Sequence, residues 1–142
     1  MKTVAQLLSL KPTGIVAIAP DATVLEGLKL LAERNVGAVL VMDGPRFIGI
    51  LSERDYVRKV ELNGKTSADT PVSEIMTREV VFVTPGHTNE DCMALMTDKR
   101  VRHLPVLADD RVVGVLSIGD LVKDIISEQQ FIISQLESYI HG

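Results

Sequence analysis

Two hydroxyl-carboxylate pairs, Ser52 with Asp55 and Ser117 with Asp120, recur in one context, Gly49-Ile-Leu-Ser-Glu-Arg-Asp55 and Gly114-Val-Leu-Ser-Ile-Gly-Asp120. A carboxylate in the first turn of a helix can accept hydrogen bonds from two adjacent sugar hydroxyls at once. The unpaired N–H groups and positive dipole end of the same helix start favour an anion such as phosphate, and a serine hydroxyl adds a donor. The same spacing is also an ordinary capping box, in which the carboxylate turns back to its own helix. Both roles remain open for Asp55 and Asp120.

Basic side chains near the two pairs are unequal. Arg100, Arg102 and His103 precede the second pair, where the first has Asn35, Gly37 and Ala38; the first pair instead has Arg54 and Arg58 within and behind it. One strong and one weaker anion site are expected. His103 also suits a hydrogen-bonded strand end, and Arg54 and Arg58 a solvated helix face beside Glu53 and Glu61. Gly49 and Gly114 interrupt apolar strands, so a ligand or a neighbouring helix is expected to approach the backbone there. Pro105 within a strand run signals an edge or a bulge that frees backbone groups. Met93 and Met96 read as core and Cys92 as a small buried hydrophobe. His87 and His141 carry no signal.

The elements that must position these residues come twice. Residues 16–60 and 81–125 align without a gap at an offset of 65, with 12 of 45 positions identical. Each copy reads strand, helix, strand, strand, helix. Val16-Ala17-Ile18 and Val80–Val83 are short extended segments ended by Pro20 and Pro85. Thr23 with Glu26 and Thr88 with Asp91 form capping boxes that open helices. Val24, Leu28 and Leu31 share one helix face, and Cys92, Leu95 and Met96 the other. The runs Ala38–Met42 and Phe47–Leu51, then His103–Leu107 and Val112–Leu116, are hairpins. The last helix continues from Ser127 to Ile140, where Ile132, Ile133, Leu136 and Ile140 form an apolar stripe suited to a partner subunit. Glu61–Pro71 reads as a linker, and Val4–Leu8 and Val72–Met76 as short helical entries to the repeats. The division is 1–66 for the first repeat and 67–142 for the second. Two sheets packed face to face would cover each other's apolar surface.

The 142 residues carry 15 Lys and Arg against 19 Asp and Glu, a net charge of −4, which argues against a nucleic-acid protein. The acidic excess lies after Pro71, with 6 basic and 11 acidic residues there. One cysteine excludes an internal disulfide and any paired-cysteine metal or redox motif. The apolar start Val4–Leu10 is too short for a secretory core or a membrane span, so a cytoplasmic protein is expected. Three scattered histidines, no HExxH, no P-loop and no converging Ser/His/Asp set leave catalysis and metal binding unsupported.

On the paired Gly-x-x-Ser-x-x-Asp pattern, the run Arg102-His-Leu-Pro-Val106 and the strand order, the chain resembles the CBS-domain family. It is similar to the stand-alone two-repeat proteins called Bateman modules. The resemblance covers nearly the whole length. It implies an α+β fold, two β-α-β-β-α units paired through their sheets with pseudo-twofold symmetry and two clefts. It implies an adenosine ligand in those clefts, with AMP foremost and ADP, ATP, NAD(H) or S-adenosylmethionine as alternatives. On that basis the nucleotide-binding candidates are Ser117, Asp120, Arg102, His103, Pro105 and Gly114 in the second repeat. Those of the first are Ser52, Arg54, Asp55 and Arg58.

The leading expectation is a nucleotide-gated regulator, homodimeric, needing no metal, whose repeats shift on binding and are read by a protein partner not named by the sequence. A ligand-free dimerisation scaffold built on the C-terminal helix is the alternative. Nucleotide hydrolysis is the least supported.

Overall fold

The computed structural model describes residues 1–11 and 15–141. Its elements are α1 (Val4–Ser9), β1 (Ala17–Ile18), α2 (Val24–Arg34), β2 (Ala38–Asp43), β3 (Arg46–Ser52) and α3 (Glu53–Tyr56), which runs into a π-helical turn, Val57–Glu61. After these come α4 (Val72–Ile75), α5 (Asn89–Lys99), β4 (His103–Ala108), β5 (Arg111–Ser117) and α6 (Ile118–His141). This is an α+β chain. It forms two compact units: Gly14–Val80, and Met1–Thr13 together with Val81–Gly142.

The local signals act as expected where they are local. Thr23 and Thr88 each accept from the N–H three residues on, and Glu26 and Asp91 return the bond, so both capping boxes are closed. Both helices end on a left-handed residue at matching positions, Asn35 at φ 54° and Arg100 at φ 56°. The second hairpin turns on Asp109 and Asp110, both at positive φ, as a tight two-residue connection requires. Each hairpin has an irregularity at the same place, between Val41 and Met42 and between Val106 and Leu107. The first has Leu40 where the second has Pro105, so Pro105 is not the cause.

Pro105 acts instead on the neighbouring strand. In the first unit β1 lies parallel to β2, and the Leu40 N–H donates to the Val16 carbonyl at 3.0 Å. Pro105 stands where Leu40 does and has no N–H to give. The counterpart of β1, expected over Val80–Val83, therefore shrinks to one bridge, Val83 with Val106, and the second sheet keeps two strands, β4 and β5.

The expected linker is bonded structure. Val24 and Leu25 donate backbone N–H groups to the Thr70 and Ser67 carbonyls, and Val72 and Ser73 donate to Ala22 and Pro20. Val72, Ile75 and Met76 are buried in one core with Val24, Leu31, Val39, Val41, Leu51 and Val60. α4 thus packs with the first repeat, although it precedes the second in sequence. α1 does the reverse, because Val4 and Ala5 donate to the His87 and Pro85 carbonyls. Val4 and Leu7 join the core of Val83, Cys92, Met96, Leu104, Val106, Leu116 and Leu121. Burial pushes the Cys92 thiol up to about 11, so it stays protonated as a core hydrophobe.

What α1 and α4 press on explains the strand glycines. A Cβ on Gly114 would stand 2.7 Å from Leu8 Cδ2, and one on Gly49 would stand 2.8 Å from the Thr77 carbonyl oxygen and 3.0 Å from Met76 Sδ. The backbone obstacle cannot swing aside as a leucine methyl can. Gly49→Ala is therefore expected to cost roughly 1–3 kcal/mol, as overpacking does, and Gly114→Ala distinctly less; urea unfolding of both variants measures the difference.

Lys2 anchors the start of the chain to α6. Its Nζ lies 2.6 Å from Asp124 Oδ1, while the Asn89 amide donates to Asp124 Oδ2 at 2.8 Å and to the Leu121 carbonyl at 3.1 Å. Burial works against the Asp124 carboxylate, but Lys2 and Asn89 outweigh it and hold its pKa below the ordinary 3.8. A folded-state pKa below the unfolded one stabilises fully above about pH 4, and the gain is lost as pH falls through the folded value. Acid titration by circular dichroism is expected to show this loss in the wild type and a shallower one in Asp124→Asn, which starts less stable.

Candidate functional site

In the unit containing α6, the end of β5 and the start of β4 deliver the second pair. His103 lies opposite Ser117 in the ladder, and the Ile118 N–H donates to the Arg102 carbonyl at 2.9 Å, tying the start of β4 to the start of α6. Asp120 Oδ2 accepts from the Ser117 N–H at 2.7 Å and the Ser117 hydroxyl at 3.0 Å, and the Asp120 N–H donates back to that hydroxyl at 3.3 Å. The capping box is therefore formed. It is not the whole environment: Lys11 Nζ lies 2.8 Å from the same Oδ2 and donates to the Val115 carbonyl at 2.7 Å. Among the described residues, the Ser117 N–H, the Ser117 hydroxyl and Lys11 all converge on Oδ2. Burial alone would raise the Asp120 pKa, but Lys11 and Ser117 hold it below the carboxylate norm, so the group is ionised at neutral pH.

The first pair has the same frame, with Ala38 opposite Ser52 and the Glu53 N–H donating to the Gly37 carbonyl at 3.2 Å. Asp55 Oδ2 accepts from the Ser52 N–H and hydroxyl at 2.9 and 3.0 Å. Its Oδ1 is taken as well, by the Thr77 hydroxyl at 2.9 Å and Lys59 Nζ at 3.0 Å. The Asp55 side chain is 8% exposed, that of Asp120 25%. Both oxygens of Asp55 are engaged and shielded; Asp120 keeps an accessible side.

The other candidates fall into place unevenly. Arg102 is exposed at the start of β4, Pro105 is buried opposite Val115, and Gly114 is buried beneath Leu8. Of the two explanations for the strand glycines, the structure shows the neighbouring segment. Arg54 and Arg58 are exposed, on α3 and on the π-helical turn that replaces the longer closing helix expected there. A recess of about 220 Å³ opens beside Asp120, lined by Lys2, Leu7, Leu10, Lys11, Lys123, Asp124 and Ser127 as well. Among the described residues no group of three or more His, Cys, Asp or Glu is placed to hold a metal ion, and no helix is long and apolar enough to cross a membrane.

Sequence reasoning missed Lys11 and Thr77. Lys11 is 109 residues from Asp120, and Thr77 is 22 from Asp55. Neither belongs to the repeated pattern. The nearest signal was the loose match of Val4–Leu8 to Val72–Met76, the entry segments that Lys11 and Thr77 follow.

Comparison with known proteins agrees with this architecture. The family model described as CBS domain matches residues 11–62 and 72–127. The mitochondrial CBS domain-containing protein CBSX3 of Arabidopsis thaliana is 39% identical over 127 residues, 86% of this chain, which spans 62% of that protein's length. A solved CBS-domain protein from Burkholderia ambifaria is 47% identical with a TM-score of 0.88, covering 90% of this chain and 96% of its own. The CBS domain protein PAE2072 from Pyrobaculum aerophilum, solved as a complex with AMP, is 27% identical with a TM-score of 0.72, covering 83% and 88%. With two matched copies, a shared fold and the serine-aspartate frame built alike at the head of both closing helices, the chain belongs to the CBS-domain family.

Proposed function

We propose that this chain is a regulatory module that binds an adenosine nucleotide at Asp120, without a resident metal and without catalysis. AMP is the first choice, with ATP, NAD(H) and S-adenosylmethionine as alternatives. The observation that carries this is the Asp120 carboxylate: ionised, one quarter exposed, bonded among the described residues through Oδ2 to Ser117 and Lys11, and lining an open recess. An ionised carboxylate of this kind can accept from both ribose hydroxyls. Arg102 and His103 then supply donors for the anionic part and the base edge. The AMP held by the P. aerophilum protein supports the ligand class.

Asp55, with Ser52, Arg54 and Arg58, forms the weaker second site, since a ligand there must displace Thr77 and Lys59. Occupancy biases the conformational population of the module, and a protein partner reads the bias. A single buried thiol suits a reducing compartment such as the cytoplasm. The functional form is a homodimer joined through α6, where Ile126, Ile132, Ile133, Leu136 and Ile140 are all exposed in the single chain. That stripe also supports the second reading, a dimerisation scaffold that binds no nucleotide.

Thermal denaturation with each nucleotide separates the two. A ligand at 100 times its Kd adds about 2.7 kcal/mol to stability. Asp120→Ala is expected to abolish that gain and Asp55→Ala to reduce it only slightly. No shift with any of the nucleotides would leave the scaffold alone standing. For the dimer, Ile133→Lys with Leu136→Lys is expected to give monomers in light scattering with the melting profile of the monomeric unit unchanged, because both side chains are already exposed.

A further inference from the structure

Resting on the proposed nucleotide site, we infer that Lys11 makes that site selective for phosphorylated nucleosides over the bare nucleoside. Lys11 comes from the opening segment that leads into the first repeat, yet its ammonium sits against Asp120 of the second, 2.8 Å from the carboxylate. It is held from the other side by a neutral acceptor, the Val115 carbonyl at 2.7 Å. That anchor does not depend on the carboxylate. If sugar hydroxyls take over part of Asp120, the cation stays in place with donor capacity to spare, since an ammonium has three N–H groups and two are used here. Lys11 is one third exposed and lines the recess beside Asp120 together with Lys123 and Lys2. Asp124, the other carboxylate there, is already paired with Lys2. Among the described residues that line this recess, Lys11 and Lys123 are thus cations that can meet an incoming anion.

The first unit draws its lysine from a different segment. Aligning Leu8 with Met76, the residues that cover the two strand glycines, puts Glu79 where Lys11 stands. The lysine at Asp55 is instead Lys59, four residues along the same chain segment, donating also to the Ile75 carbonyl at 2.9 Å. An acidic side chain at position 79 offers nothing to a phosphate. A lysine delivered by the entry segment therefore belongs to the Asp120 site, whereas Asp55 takes its lysine from its own helical segment.

The test is calorimetric titration of AMP and adenosine into the full chain, in wild type, Lys11→Met and Lys11→Arg. Losing one charge-assisted bond to phosphate lowers the AMP-to-adenosine affinity ratio by about tenfold or more. Lys11→Met is expected to show that fall, Lys11→Arg to keep most of the ratio, and raised salt to narrow the gap between wild type and Lys11→Met. An unchanged ratio in Lys11→Met overturns the role of Lys11 and leaves the nucleotide site intact. Wild type that binds neither AMP nor adenosine overturns the site itself, and this inference with it.

Discussion

Two missing side chains govern how this chain assembles. Because Gly114 and Gly49 present bare backbone, Leu8 can lie on β5 and Met76 with Thr77 on β3 at distances no Cβ would tolerate. Each contact seats a short helix, and each helix carries the residues that follow it to the end of a strand. Lys11 meets Asp120 because Leu8 sits on Gly114. Thr77 meets Asp55 because it sits on Gly49. The chemistry at the head of each closing helix is thus set by packing on the strand behind it.

The two copies share a frame and differ in electrostatics. Both serines cap, both aspartates return the bond, and both helix starts are tied to the residue before the first strand of the hairpin. Beyond that frame, Asp55 is closed off by a hydroxyl and a lysine of its own unit, while Asp120 faces a lysine from the chain's opening segment and a recess. A capping box and a ligand site are compatible when the cap uses one carboxylate oxygen. Asp120 meets that condition, whereas Asp55 has spent both.

Much of this was legible from residue types and spacing, because the forces involved act within a few positions. The capping threonines, the hairpins, the apolar helix faces and the duplicated motif follow from hydrogen bonds three residues long and from side chains alternating across a strand. What was misjudged lay across the chain. The polar run before Pro71 looked like a linker, since nothing local shows that its carbonyls accept from the start of α2. Val80–Val83 looked like a full strand, since the ladder bond it loses is one that Pro105, more than twenty residues away, has no N–H to donate.

The sequence by itself determined the family, the two copies and the pair of hydroxyl-carboxylate motifs, because each is written in neighbouring residues. Only the tertiary structure decided which carboxylate stays open, which cation stands beside it and which segment completes each core. Those outcomes depend on long-range burial against two glycines, and a glycine in a strand does not say what will cover it.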